Sequence, residues 1–259
     1  MKSKGLTLLL AIVSLVVAGA GLGKFVEPVW RATREAEPAL RLDSAAAAAG
    51  QGVTLALLGG FRALVADASW VRMYVAWEAR DLPATETLLG LVTTLDPRPV
   101  YFWLNGARIM AYDFPAWRIE TAGGFTAVSP AIQAKFKQQQ GEAALQQIDR
   151  AMRYHPLSAD LWVERANIQL NQLKDLAGAA ESYRRAWQQP RAPYFAARLH
   201  GELLRRAGRS AEALAWLVKL HPELPTNDEG AGGPVVLGRI RDLERELAVP
   251  ANNRYQPAR

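Results

Sequence analysis

The sequence contains no cysteine and only three histidines in 259 residues. Without thiols there is no disulfide framework, thiolate metal site, iron–sulfur cluster or cysteine nucleophile. His155, His200 and His221 are not spaced as HExxH or a related metal-binding pair, and no GxSxG nucleophile motif is present. Carboxylate pairs such as Glu244 and Glu246 fall on a charge-rich terminal helix, where solvation accounts for them. Also missing is any run that alternates apolar and polar residues with period two, which argues against a half-buried sheet. No enzyme activity, no metal and no cofactor are therefore expected.

What is present is an ordinary globular composition, 50% hydrophobic and 22% charged, with Lys+Arg at 31 against Asp+Glu at 25 and a net charge of +6. One segment stands apart. Leu6–Leu22, LTLLLAIVSLVVAGAGL, runs seventeen residues without a charge, after Lys2 and Lys4. That length lies at the lower limit for a bilayer-spanning helix and slightly above a signal-peptide core. It reads as an uncleaved single-pass anchor; Ala18-Gly19-Ala20 leaves a cleaved export signal as the alternative. The basic amino-terminal flank places the N-terminus inside and the body outside the cytoplasm, while Lys24, Arg31, Arg34 and Arg41 on the far flank pull the other way. The string Gly19–Lys24 lacks the leading Gly and the trailing Ser or Thr of a phosphate loop, with Ala18 and Phe25 at those positions.

Residues 23–52 form a linker, and from Val53 onward the pattern is helical. Pro156 and Pro190 lie 34 residues apart, each ending a helix-like segment, RAMRYHP and RRAWQQP. Small and bulky positions recur around them. Ala144, Ile148 and Ala151 precede Pro156, and Trp162 and Ala166 follow it. Ala179, Tyr183 and Ala186 precede Pro190, and Gly201, Leu204, Gly208, Ala213, Leu217, Leu220 and Pro225 complete a further unit. Small residues at such positions let two helices cross closely, and bulky ones fill the space between hairpins. Upstream, Pro97, Trp103 and Ala107 repeat the Pro156, Trp162, Ala166 spacing. The matching second helix, with Ala144, comes late by an insertion of about 25 residues at about 114–138.

This period and these positions resemble the tetratricopeptide repeat. GGFRALVADASWVRMYVAWEARD with LVTTLDPRPVYFWLNGARIMAYD is also similar to a group of bacterial membrane-anchored repeat proteins. The resemblance implies an all-α chain: a transmembrane helix, about four helical hairpins over 53–225 forming an α-solenoid, a loop and capping helix over 226–248, and a tail at 249–259. The first hairpin pairs Thr54–Arg80 with Pro83–Asp96, and the next begins with Pro99–Tyr112.

In this family the first helices of successive hairpins line a groove that takes a peptide or another protein's helix. The register places Tyr101, Arg108 and Tyr112, then Asn167 and Asn171, then Phe195, Arg198 and Arg205 in that groove. The family's grip on acidic C-terminal peptides is poorly matched: Asn167 fits one of its positions, but Leu104, Glu164, Phe195 and Leu199 occupy others. Trp70 and Trp77, seven residues apart, and Trp117 in the insertion are candidate contacts with a partner or the bilayer. Seven arginines between Arg184 and Arg209 fit solvated faces or an acidic partner; nucleic acid is not expected. The expectation is a protein-binding scaffold in a bacterial inner membrane, single-pass with its body on the periplasmic side, for assembly or stabilisation of a membrane or envelope complex. A permanent structural subunit without separate peptide binding is the alternative.

Overall fold

Prolines and short polar side chains mark where the helices begin. Asp81 accepts a hydrogen bond from the Ala84 amide, Ser129 from Ile132, Ser158 from Leu161 and Asp175 from Gly178. Each of these oxygens satisfies an amide that the first helical turn leaves without a partner. The computed structural model describes residues 62–257. Among them the protein is all-helical, with no strand. The segment Leu6–Leu22, expected to be the anchor, lies outside the described residues, as do the linker and the start of the first hairpin. No helix among the described residues is long and apolar enough to cross a membrane.

The described residues divide into two compact units, with the boundary between Pro97 and Arg98. In the first, α1 (Arg62–Glu78) and α2 (Leu82–Leu95) form a hairpin around a turn whose Arg80 has φ +55°. Ala66, Trp70 and Met73 of α1 and Thr85, Leu89, Val92, Thr93 and Leu95 of α2 are its buried positions.

The second unit opens with one long helical run: α3 (Val100–Arg108), a π-turn (Ile109–Asp113) and α4 (Phe114–Thr121). Sequence reasoning ends this helix at Tyr112, ahead of Pro115, which has no amide to donate. The π-turn carries the chain past it. The Phe114 amide reaches back five residues to the Ile109 carbonyl, shifting the ladder just where proline would break it. The insertion is thus mostly helix: it extends the first arm to Thr121 and starts the returning helix α5 (Pro130–Tyr154) early.

Next come α6 (Ala159–Asn171), α7 (Leu176–Trp187), α8 (Tyr194–Arg206), α9 (Ser210–Leu220) and α10 (Gly233–Glu246). From α5 onward each helix packs on the next, and α3 also reaches α6 across the intervening helix. Most residues singled out by the 34-residue spacing form the interior: Trp103, Ala107, Ala144, Ile148, Ala151, Ala166, Ala179, Tyr183, Ala186, Leu204, Ala213, Leu217 and Leu220 are buried, while Trp162 is half-buried and Gly208 exposed. Gly201 marks the closest crossing. A Cβ there would lie 2.9 Å from Leu217 Cδ2 and 3.1 Å from its Cγ. Gly208, with φ +77°, ends α8: its amide bonds the Arg205 carbonyl while Arg209 N–H bonds that of Leu204, both at 2.9 Å. These paired bonds are the left-handed glycine stop of a helix.

Candidate functional site

The groove residues expected from the repeat register fall into two groups. The first lies where α3, its π-turn, α6 and α7 meet. Arg108 Nε donates to Glu164 Oε2 at 2.8 Å, and the Glu164 side chain is 3% exposed against 52% for Arg108. One turn on, Tyr112 is hydrogen-bonded to Asn171. Between them the Tyr183 hydroxyl donates to Asn167 Oδ1 at 2.6 Å. Burial is the main force raising the Tyr112 phenol above its usual value and pushing Tyr183 up to about 12, with the Glu164 charge adding to both. Both phenols remain protonated at neutral pH. Arg108, Tyr112, Asn167 and Asn171 are indeed brought together, but they spend their polar groups on Glu164, Tyr183 and one another. Such a closed network rigidifies a helix interface. Tyr101 sits at its edge, half exposed, with its ring edge-on to buried Phe102.

The second group surrounds an open pocket of about 310 Å³ between α8 and α10. Its walls are Phe195, Leu199, Leu217, Val235 and Val236, and Arg198, Glu202 and Arg239 supply its charges. Phe195 is 41% exposed and Val235 68%, so the apolar lining is open to solvent. Arg198 Nη1 donates to the Gly230 and Ala231 carbonyls at 2.9 and 2.6 Å, tying α8 to the short helical turn Glu229–Ala231. No carboxylate neutralises it among the described residues. Glu202 takes Arg205 at 2.7 Å and Arg239 at 3.4 Å, and the Arg205 contact holds its carboxyl below the usual value against an opposing effect of burial. Arg205, expected to face a ligand, is therefore paired within its own helix. The pocket can take one or two apolar side chains of an extended segment, with Arg198 at its rim for an acidic group.

Sequence reasoning missed Val235, Val236 and Arg239, because α10 reads only as a cap on the end of the stack. The available signal was the pair of valines in its first turn, too apolar for a face meant only for water.

The remaining candidates are placed as follows. Trp70 is buried with Met73, and Tyr74 sets its ring edge-on to both Trp70 (5.4 Å) and Trp77 (6.2 Å). Trp77 is half-buried, as is Trp117, whose ring lies 5.5 Å from that of Phe114. The arginine-rich stretch is largely self-neutralised: Arg184 and Arg185 share Glu181, and Arg209 holds Glu212 at 2.6 Å. His155 ends α5, as expected of a histidine beside a repeat's proline. His221 follows α9 and its Nδ1 lies 3.0 Å from the Tyr255 hydroxyl, so it also receives the tail. His200 is buried, with Nδ1 at 2.8 Å from the Ala180 carbonyl and its ring edge-on to Trp216 at 4.6 Å. No group of His, Asp and Glu able to hold a metal ion occurs among the described residues. No family model matches the chain, and no curated protein matches it.

Proposed function

We propose that this chain is a membrane-tethered helical-repeat scaffold of the tetratricopeptide type, which docks a segment of another protein through the α8–α10 pocket. Its role is the assembly or stabilisation of a membrane or envelope complex. The observation that carries this reading is the solvent-open pair Phe195 and Val235, above a pocket floored by Leu199 and buried Val236, beside the unneutralised Arg198. A monomer gains nothing by leaving Val235 so exposed next to Phe195, whereas a docked side chain would cover both. The repeat type is supported by the 34-residue spacing and by the burial of most of the positions it singles out. The tether is supported by Leu6–Leu22 behind two lysines, which also favours the inner membrane of a bacterium with the body outside the cytoplasm.

A photo-crosslinking residue at Phe195 tests the site. It should capture one protein from solubilised membranes, and Val235→Asp should abolish the capture without lowering thermal stability, since Val235 is on the surface. If the same products appear from a crosslinker at Leu157, which is 67% exposed and remote in sequence, the pocket is not a docking site.

A further inference from the structure

The long arm formed by α4 and α5 ends in a loop built to hold an apolar tip in solvent. Gly123 and Gly124, at φ +117° and +91°, reverse the chain after α4. The Gly124 carbonyl accepts from the amides of Ala127 and Val128, and the Gln133 side-chain amide donates to the carbonyls of Phe125 and Val128, both at 2.9 Å. Buried Val128 anchors the loop beneath. On this satisfied backbone Phe125 stands 51% exposed and Ile132, in the first turn of α5, 48% exposed. From Thr121 to Gly141 there is no carboxylate, and the only charges are Lys135 and Lys137.

We propose that this tip inserts into the headgroup layer of an anionic bilayer. The arrangement has the depth order such a layer requires. At a rise of about 1.5 Å per residue, Lys135 and Lys137 lie about 4.5 and 7.5 Å farther along α5 than Ile132. Apolar residues that enter the interface go about 5–10 Å deep, and lysine ammonium groups above them meet lipid phosphates. Charge complementarity selects anionic lipid, since the tip carries two lysines against the single flanking carboxylate of Glu120 at the end of α4. The inference rests on the membrane-tether reading, because a tethered chain holds its tip near a bilayer at high effective concentration.

The chain lacks cysteine, so a single thiol can carry an environment-sensitive fluorophore at Phe125→Cys or, as a second site, Ile132→Cys. In vesicles of mixed phosphatidylcholine and phosphatidylglycerol, both labels should shift to the blue and be quenched by doxyl-labelled lipid. The contact should weaken about fivefold for each of Lys135→Gln and Lys137→Gln. Labels that remain as open to aqueous iodide as one at Leu157→Cys overturn the proposal. So does protection that needs an added protein and is absent with bare vesicles. A label at Val13→Cys separates the two readings. If it enters lipid while the tip labels stay in water, the tether stands and the tip proposal fails; if Val13 itself stays in water, the tether reading fails and the tip proposal with it.

Discussion

Replacing Gly201 by alanine sets two known effects against each other in one helix. In the interior of α8, alanine should gain about 1 kcal/mol over glycine from backbone entropy. The added methyl, however, would sit 2.9 Å from Leu217 Cδ2 and 3.1 Å from Cγ, with the Trp216 indole at 3.3 Å. Comfortable carbon contacts are about 3.5–4.0 Å, so one helix must move or Leu217 must leave its position. Leu217 is 2% exposed inside a cluster with Leu204, Leu220 and Val236, which gives it little room to retreat. Overpacking of this kind costs about 1–3 kcal/mol. The balance is a destabilisation of about 0–2 kcal/mol, where an exposed helical glycine would give a gain. The decisive measurement is a double-mutant cycle with Leu217→Ala, which alone should cost about 2–5 kcal/mol. With both changes the new methyl fills part of the cavity, so the pair should cost about 1–3 kcal/mol less than the sum. Hydrogen exchange of α8 and α9 amides reads this locally, as suits a stack whose stability is a sum of neighbour interactions. A gain of about 1 kcal/mol for Gly201→Ala with no coupling to Leu217 would refute the close crossing.

Burial holds the His200 imidazole below its ordinary value of 6.5, only partly opposed by its hydrogen bond to Ala180. The unfolded chain then binds a proton that the folded chain resists, so stability is complete above about pH 6.5 and declines as the pH falls from there toward the folded-state value; thermal melts of His200→Gln should show a flatter profile in that window. The Glu181 carboxyl is held down to about 2, chiefly by its hydrogen bonds from Arg184 and then Arg185. Its carboxyl carbon should therefore still report an ionised group at pH 3.5, about one unit below the ordinary carboxylate range, and Arg184→Ala should bring its titration back toward that range by NMR. Arg108→Met removes the hydrogen-bonded guanidinium from the buried Glu164 carboxylate and should destabilise the α3–α6 contact by about 1.5–3 kcal/mol. Adding Glu164→Gln should recover part of that loss in a urea melt, and no recovery would mean that the buried charge was not the cause.

The helices were legible because their signals are local. Asp81, Ser129, Ser158 and Asp175 cap helices in the chain whatever they pack against, and the 34-residue spacing marks small residues that must be buried if hairpins cross. The extent of the first long arm was not legible. A proline in DFP reads as a stop, and only the shift of one hydrogen bond to the Ile109 carbonyl lets the helix run on to Thr121. The groove was legible as a set of positions but not as a set of free groups. Asn167 and Asn171 face Tyr183 and Tyr112 because α6 crosses the π-turn and α7 at particular turns, and no spacing along one helix reveals which partner will stand opposite.

By itself, then, the sequence determined the all-helical class and most of the interior positions from Trp103 to Leu220. These follow from periodicity. Tertiary structure alone decided that Arg198 clasps the Gly230 and Ala231 carbonyls, that Arg239 reaches Glu202 across the pocket, and that α10 turns two valines toward α8 to complete an open pocket. Those outcomes depend on how far one helix is displaced and rotated against its neighbour. A shift of a single turn moves a guanidinium about 5.4 Å, which exceeds the reach of any hydrogen bond.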